Sequence, residues 1–103
     1  MIIKVTKDHI KRGVKRSRSC CPVALALRDH FPGKHVLISV STVCLCVRDT
    51  KASILDKYLI EEATPNVVSD FIREFDSSYP RNNWTDPDFQ PFEFEITNVK
   101  VPQ

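Results

Sequence analysis

Ser19-Cys20-Cys21-Pro22-Val23-Ala24-Leu25-Ala26-Leu27-Arg28-Asp29-His30-Phe31 is the stretch around which the chain is organised. Pro22 suits the first position of a helix, where its missing N–H costs nothing and its fixed φ is already helical. That makes Cys21 the N-cap, an unusual choice, since Ser, Thr, Asp and Asn are preferred there. Val23 to Phe31 are mostly good helix formers, with Ala24, Leu27 and Phe31 on one face, and Pro32-Gly33 ends the run. So short and apolar a helix is expected to lie buried against a sheet.

Upstream, Met1, Ile3 and Val5 alternate with Ile2 and Lys4 as a short strand, and Thr6 caps a brief helix, 7–12. Gly13 stands where a left-handed C-cap prefers glycine. Downstream, 35–47 alternates in two phases that change at Ser41-Thr42. Ser-Thr is a poor two-residue hairpin turn, so the expectation is one long strand with a bulge. Arg48 to Lys51 is a better turn, leading to a strand over 53–60. Thr64-Pro65 opens a second helix, Thr as cap and Pro first, whose stripe is Val68, Phe71, Ile72 and Phe75. Asp70, Arg73, Glu74 and Asp76 are expected to face out. After a proline-containing loop over 77–91, Phe92 to Thr97 alternates as a strand with one wet face.

The expected order is β-α-α-β-β-α-β. It describes one small α+β domain over 1–103, an antiparallel-rich sheet with its two main helices on one face.

Length and composition set limits on function. A chain of 103 residues supports a single core. No apolar run approaches the roughly 18 residues of a membrane span, and the first residues do not read as a signal peptide. The expected location is therefore the cytoplasm, with the four cysteines reduced. Net charge is only +2, but it is unevenly spread. Residues 1–18 hold seven Lys/Arg against Asp8, a net of +6, whereas 61–95 hold nine acids against Arg73 and Arg81, a net of −7.

Four constellations carry candidate chemistry. Cys20 and Cys21 at a helix N-terminus beside Arg16 and Arg18 are reactive-thiol candidates, because dipole and cations favour a thiolate. Against this, a Cys under a helix start packs well as a small hydrophobe. Cys44 and Cys46 share a strand face, and His9, His30 and His35 are available, but no zinc-type spacing is present, and thiols lining a core face explain them better. Neither cofactor nor metal is expected. The basic residues Lys11, Arg12, Lys15, Arg16 and Arg18 lead into a helix N-terminus and form an anion-attracting surface, yet no aromatic side chain lies among them to stack a base. In the C-terminal third, Tyr79, Trp84, Phe89 and Phe92 among acids offer either a mimic of nucleic-acid charge or a protein-binding rim, with Tyr79 and Trp84 as anchors. Glu93 and Glu95 read as the solvent side of a strand.

Val5-Thr6-Lys7-Asp8-His9-Ile10-x-x-Gly13, then Cys21-Pro22-Val23-Ala24-Leu25-Ala26-Leu27, then Phe71-Ile72-x-x-Phe75-Asp76 and Pro91-Phe92-Glu93-Phe94 resemble a group of small, uncharacterised bacteriophage and bacterial proteins. The resemblance spans most of the chain and carries no catalytic residues. It implies a non-enzymatic phage-type accessory protein that binds a host or phage macromolecule, such as an inhibitor of a bacterial defence system. Two alternatives stand beside it: a nucleic-acid-binding module using the basic 7–18 segment, and a protein that sequesters a nucleotide or small anion at the Cys21 helix start.

Overall fold

The computed structural model describes residues 1–32, 36–49, 57–77 and 89–97. The elements run β1 (Ile2–Val5), α1 (Lys7–Arg12), α2 (Pro22–His30), β2 (Val36–Val40), β3 (Cys44–Asp49), β4 (Lys57–Ala63), α3 (Asn66–Ser77) and β5 (Phe92–Glu95). The class is α+β, as expected. The strands, however, form two antiparallel sheets rather than one: a ribbon of β1 and β5, and a three-stranded sheet in the order β2-β3-β4. The ribbon joins the two ends of the described chain. Ile3 lies opposite Phe94, the N-terminal ammonium donates to Ile96 O at 3.0 Å, and Ile96 N–H donates to Met1 O at 2.8 Å.

The additional strand comes from the phase change at Ser41-Thr42. It is a hairpin turn and not a bulge. Ser41 Oγ accepts from Val43 N–H at 3.2 Å and from Cys44 N–H at 3.1 Å, while Ser41 N–H donates to Cys44 O. A serine side chain thus satisfies the turn's amides, which makes glycine unnecessary. The register irregularity lies instead at Val47/Arg48, against β4. The first residues of the expected 53–60 strand lie outside the described residues; β4 runs on to Ala63.

Thr64 has a different task from the expected cap. Its hydroxyl donates to Ser41 O at 2.7 Å and its N–H to Val43 O at 3.0 Å, clamping the β2–β3 turn to the entrance of α3. Pro65 O accepts the first helical amides, Val68 and Ser69.

The core lies between the two sheets, with α2 packed on both β1 and β2. Val23, Ala24, Ala26 and Leu27 are buried, so α2 is covered over more of its circumference than the single expected face. Small residues are what let it sit there. Leu45, Val47 and Ile60 floor the larger sheet, and Ile3, Val5 and Phe94 the ribbon. From α3, Val68, Phe71, Ile72 and Phe75 are buried as expected. Phe71 stacks on Phe75 at 5.5 Å and meets Phe89 and Phe92 at 5.4 and 4.8 Å. Phe89 and Phe92 are therefore part of the aromatic packing rather than of an interaction rim. Glu93 and Glu95 face solvent as expected.

Gly13 is required, though not as a left-handed cap: its φ is −66° and its ψ 146°, an extended conformation open to any residue. What demands glycine is proximity. A Cβ there would overlap Pro22 Cγ and Cδ and lie 2.7 Å from Pro22 N. Replacing Gly13 by Ala is expected to destabilise the protein by about 1–3 kcal/mol, the usual cost of overpacking. Urea titration with Val14→Ala as an exposed control measures this; equal midpoints would refute the contact.

Candidate functional site

Thr6 and His9 build the first part of the site. Thr6 Oγ1 accepts from His9 N–H at 3.3 Å, and Thr6 N–H donates to His9 Nδ1 at 3.0 Å, a capping box with histidine in the place usually taken by Glu or Gln. A backbone N–H can only donate, so Nδ1 is the acceptor and the ring proton sits on Nε2. That proton is directed at Asp29 Oδ2, 2.6 Å away on α2. Of this buried histidine's ring nitrogens, Nδ1 is thereby engaged in capping α1 and Nε2 in joining α1 to α2. His9 supplies neither a general base nor a metal ligand. His9→Ala should cost about 2–3 kcal/mol through the orphaned Thr6 amide and lost packing. His9→Gln, which restores the capping contact, should recover part of it in the same thermal unfolding assay.

Because Gly13 and Pro22 touch, the residues between them must loop outward. Val14 N–H closes the loop onto Cys20 O at 2.8 Å, and Cys21 N–H donates to Ser17 O at 3.2 Å. Ser17 Oγ accepts from Cys20 N–H at 3.1 Å. Three contacts then tie the loop to the body. Lys15 Nζ lies 5.6 Å over the Phe75 ring, Arg16 N–H donates to Asp76 Oδ1 at 2.9 Å, and Val40 N–H donates to Arg18 O at 2.8 Å. Asp76, expected to face solvent, is half-buried because it holds this amide. Arg16 has a φ of 60°, the left-handed region a side chain rarely adopts, and the Asp76 contact holds it there. Lys15 and Arg16 also lie at the negative end of the α3 dipole.

The basic residues consequently divide by task. Arg12 pairs with Asp8 one turn away at 2.8 Å, an exposed pair of little energetic weight. Lys15 and Arg16 hold the loop. Lys11 and Arg18 are exposed and make no ion pair among the described residues. Tyr79 and Trp84 lie outside the described residues.

Cys21 is the N-cap, as expected, but its thiol is not activated. It is 4% exposed, and burial pushes its pKa up against the lowering influence of the Ala24 and Val23 amides. Desolvation wins over the helix terminus. Cys20 is exposed and its Sγ lies 3.7 Å from Ser19 Oγ. Cys44 and Cys46 project from the outer side of the sheet, exposed and half-buried respectively, so they do not line the core; Leu45 and Val47 do. Burial raises the Cys46 thiol too, with Arg48 opposing. Among the described residues no three His, Cys, Asp or Glu side chains converge in a way that would hold a metal ion.

The loop roofs a cleft of about 270 Å³ lined by Arg16, Ser17, Arg18, Cys21, Val40, Ser41, Thr42, Ile72 and Asp76. That is close to the lower end of the roughly 300–1,000 Å³ of small-molecule sites. No helix among the described residues is long and apolar enough to cross a membrane. Comparison with protein-family models, curated proteins and solved structures found no match.

A raised thiol pKa favours the protonated folded state. The stability it contributes is complete below the ordinary thiol value of 9.0 and is lost as pH rises past it, because the unfolded chain gives up that proton more readily. Unfolding free energy should therefore decline above pH 9, and less steeply in Cys21→Ala. With a thiol reagent at neutral pH, Cys20 and Cys44 should react first and Cys21 only on unfolding. Fast labelling of Cys21 would contradict its burial.

Proposed function

We propose that this chain is a non-enzymatic binding protein, of the phage-accessory type its sequence resembles, which docks on an acidic surface of a protein partner through the basic segment over 11–18, the end of α1 and the loop that follows it. An inhibitor of a bacterial defence protein is the form of this role that the resemblance implies. The observation that carries the reading is the loop itself. It is held in one conformation by its own hydrogen bonds and by Phe75, Asp76 and Val40, with Lys11 and Arg18 exposed beside it. A loop ordered before contact loses little further entropy on binding, so its charges count for more in affinity. Opposed charges across the interface would also raise the association rate.

Nucleic acid is the weaker reading because of where the cations are spent. Arg12 faces Asp8, Lys15 lies over the Phe75 ring, and the loop itself offers no ring for a base.

The test is affinity capture from a bacterial lysate with the wild-type chain and with Lys11→Glu/Arg18→Glu, which leaves the loop's structural contacts in place. A specific protein should be retained by the wild type, lost with the double variant, and released as salt rises. Duplex DNA should be held no more tightly than by any mildly basic protein. Tight DNA retention abolished by the same variant would transfer the function to nucleic acid.

A further inference from the structure

We propose that Cys44 and Cys46, side by side on the outer face of β3, hold one thiophilic metal ion between their two sulfurs, and that the ion this donor set selects is Cu(I). The site is separate from the docking segment and does not rest on it.

Packing does not account for this pair. Free cysteine is ordinarily among the most buried residue types. Here the core positions of β3 belong to Leu45 and Val47, and the two thiols stand on the other face, Cys44 exposed and Cys46 half-buried. The strand register gives their neighbours. Ser39 of β2 and Glu61 of β4 lie opposite Cys46, Ala63 lies opposite Cys44, and Leu37 lies opposite Arg48, the next residue along the same face. Leu37, Glu61 and Ala63 are all exposed, so solvent reaches the pair.

Spacing decides what the two sulfurs can share. Residues two apart in a strand are about 6.6–6.8 Å apart, twice the rise per residue, with parallel side chains. A disulfide needs Cβ atoms about 3.5–4.5 Å apart. β3 is paired on both sides and cannot shorten that far. An ion between the sulfurs asks for less. Two metal–sulfur bonds of about 2.3 Å in line place the sulfurs about 4.6 Å apart, which they reach by leaning toward each other along the strand.

The donor set then selects the ion. Zinc takes four ligands, and among the described residues no third Cys, His, Asp or Glu converges on the pair. Iron–sulfur clusters need four cysteines, and calcium and magnesium need oxygen. Two soft thiolates with nothing further suit Cu(I). Each thiol gives its proton to solvent as its bond to the metal forms. Two thiolates on a monovalent cation leave one net negative charge, and Arg48 on the same face supplies a positive one, which also favours the Cys46 thiolate against its burial.

The reduced full chain, titrated without oxygen with Cu(I) against bathocuproine disulfonate as competing chelator, tests this. One Cu(I) per chain is expected, with a new ultraviolet thiolate-to-copper absorption. Cys44→Ser, a change at an exposed position, should weaken uptake about a hundredfold or more, because the second thiolate no longer comes from the same strand. Cys20→Ser should leave uptake unchanged. Alkylation of the wild-type chain, mapped by mass spectrometry, gives a readout independent of any variant's folding. Cu(I) should protect Cys44 and Cys46 together while Cys20 still reacts, and Zn(II) at the same concentration should protect neither. One ion shared by two chains, protection of Cys20 in place of the pair, equal protection by Zn(II), or undiminished uptake by Cys44→Ser would overturn the site.

Discussion

The contact between Gly13 and Pro22 is the constraint on which the rest depends. It brings the end of α1 against the first turn of α2 so closely that a single added methyl group has no room. The residues between the two have no course but outward, and the loop they form closes through Val14 N–H and Cys20 O. The His9–Asp29 bond reinforces the same junction from the other side. Once α1 and α2 are joined, α2 sits between the ribbon and the larger sheet, and its small residues let both approach.

Charge placement follows from that junction. A loop forced out of the helix pair carries Lys15, Arg16 and Arg18 over the end of α3, where the helix dipole is negative and Asp76 waits to accept an amide. The residues that look alike in the sequence then have separate work. Some cations hold the loop to the body and others face solvent, and the apolar space beneath them is left between α2, β2 and α3. At the helix entrance Cys21 serves packing, while Cys20 is exposed.

The second ordering element is the β2–β3 turn. Ser41 satisfies its amides with a hydroxyl, and Thr64 clamps it to the start of α3. This turn forms one wall of the cleft, so a hydrogen-bonding detail of two hydroxyl residues decides how the loop, the sheet edge and α3 meet. It also explains why alternation alone misled. The apolar pattern changes phase identically for a bulge and for a short hairpin, and only the Ser41 side chain tells them apart.

Local chemistry was enough for several features. The α+β class, the Pro22 helix start, the Thr6 cap, the apolar stripe of α3 and the wet face of β5 all follow from spacing and propensity, because each is settled within a few residues. The unequal charge of the two ends was equally plain. Tertiary structure decided whatever depends on distant neighbours. Gly13 serves Pro22, Thr64 serves Ser41, Asp76 serves Arg16, and His9 serves Asp29; these partners lie from nine to sixty residues away, and no local pattern names them. The reactivity of Cys21 was decided there too. Its sequence shows a helix terminus and neighbouring arginines, but burial by β2 and α3 outweighs both, because the cost of stripping water from a thiolate exceeds the help of a few amide dipoles.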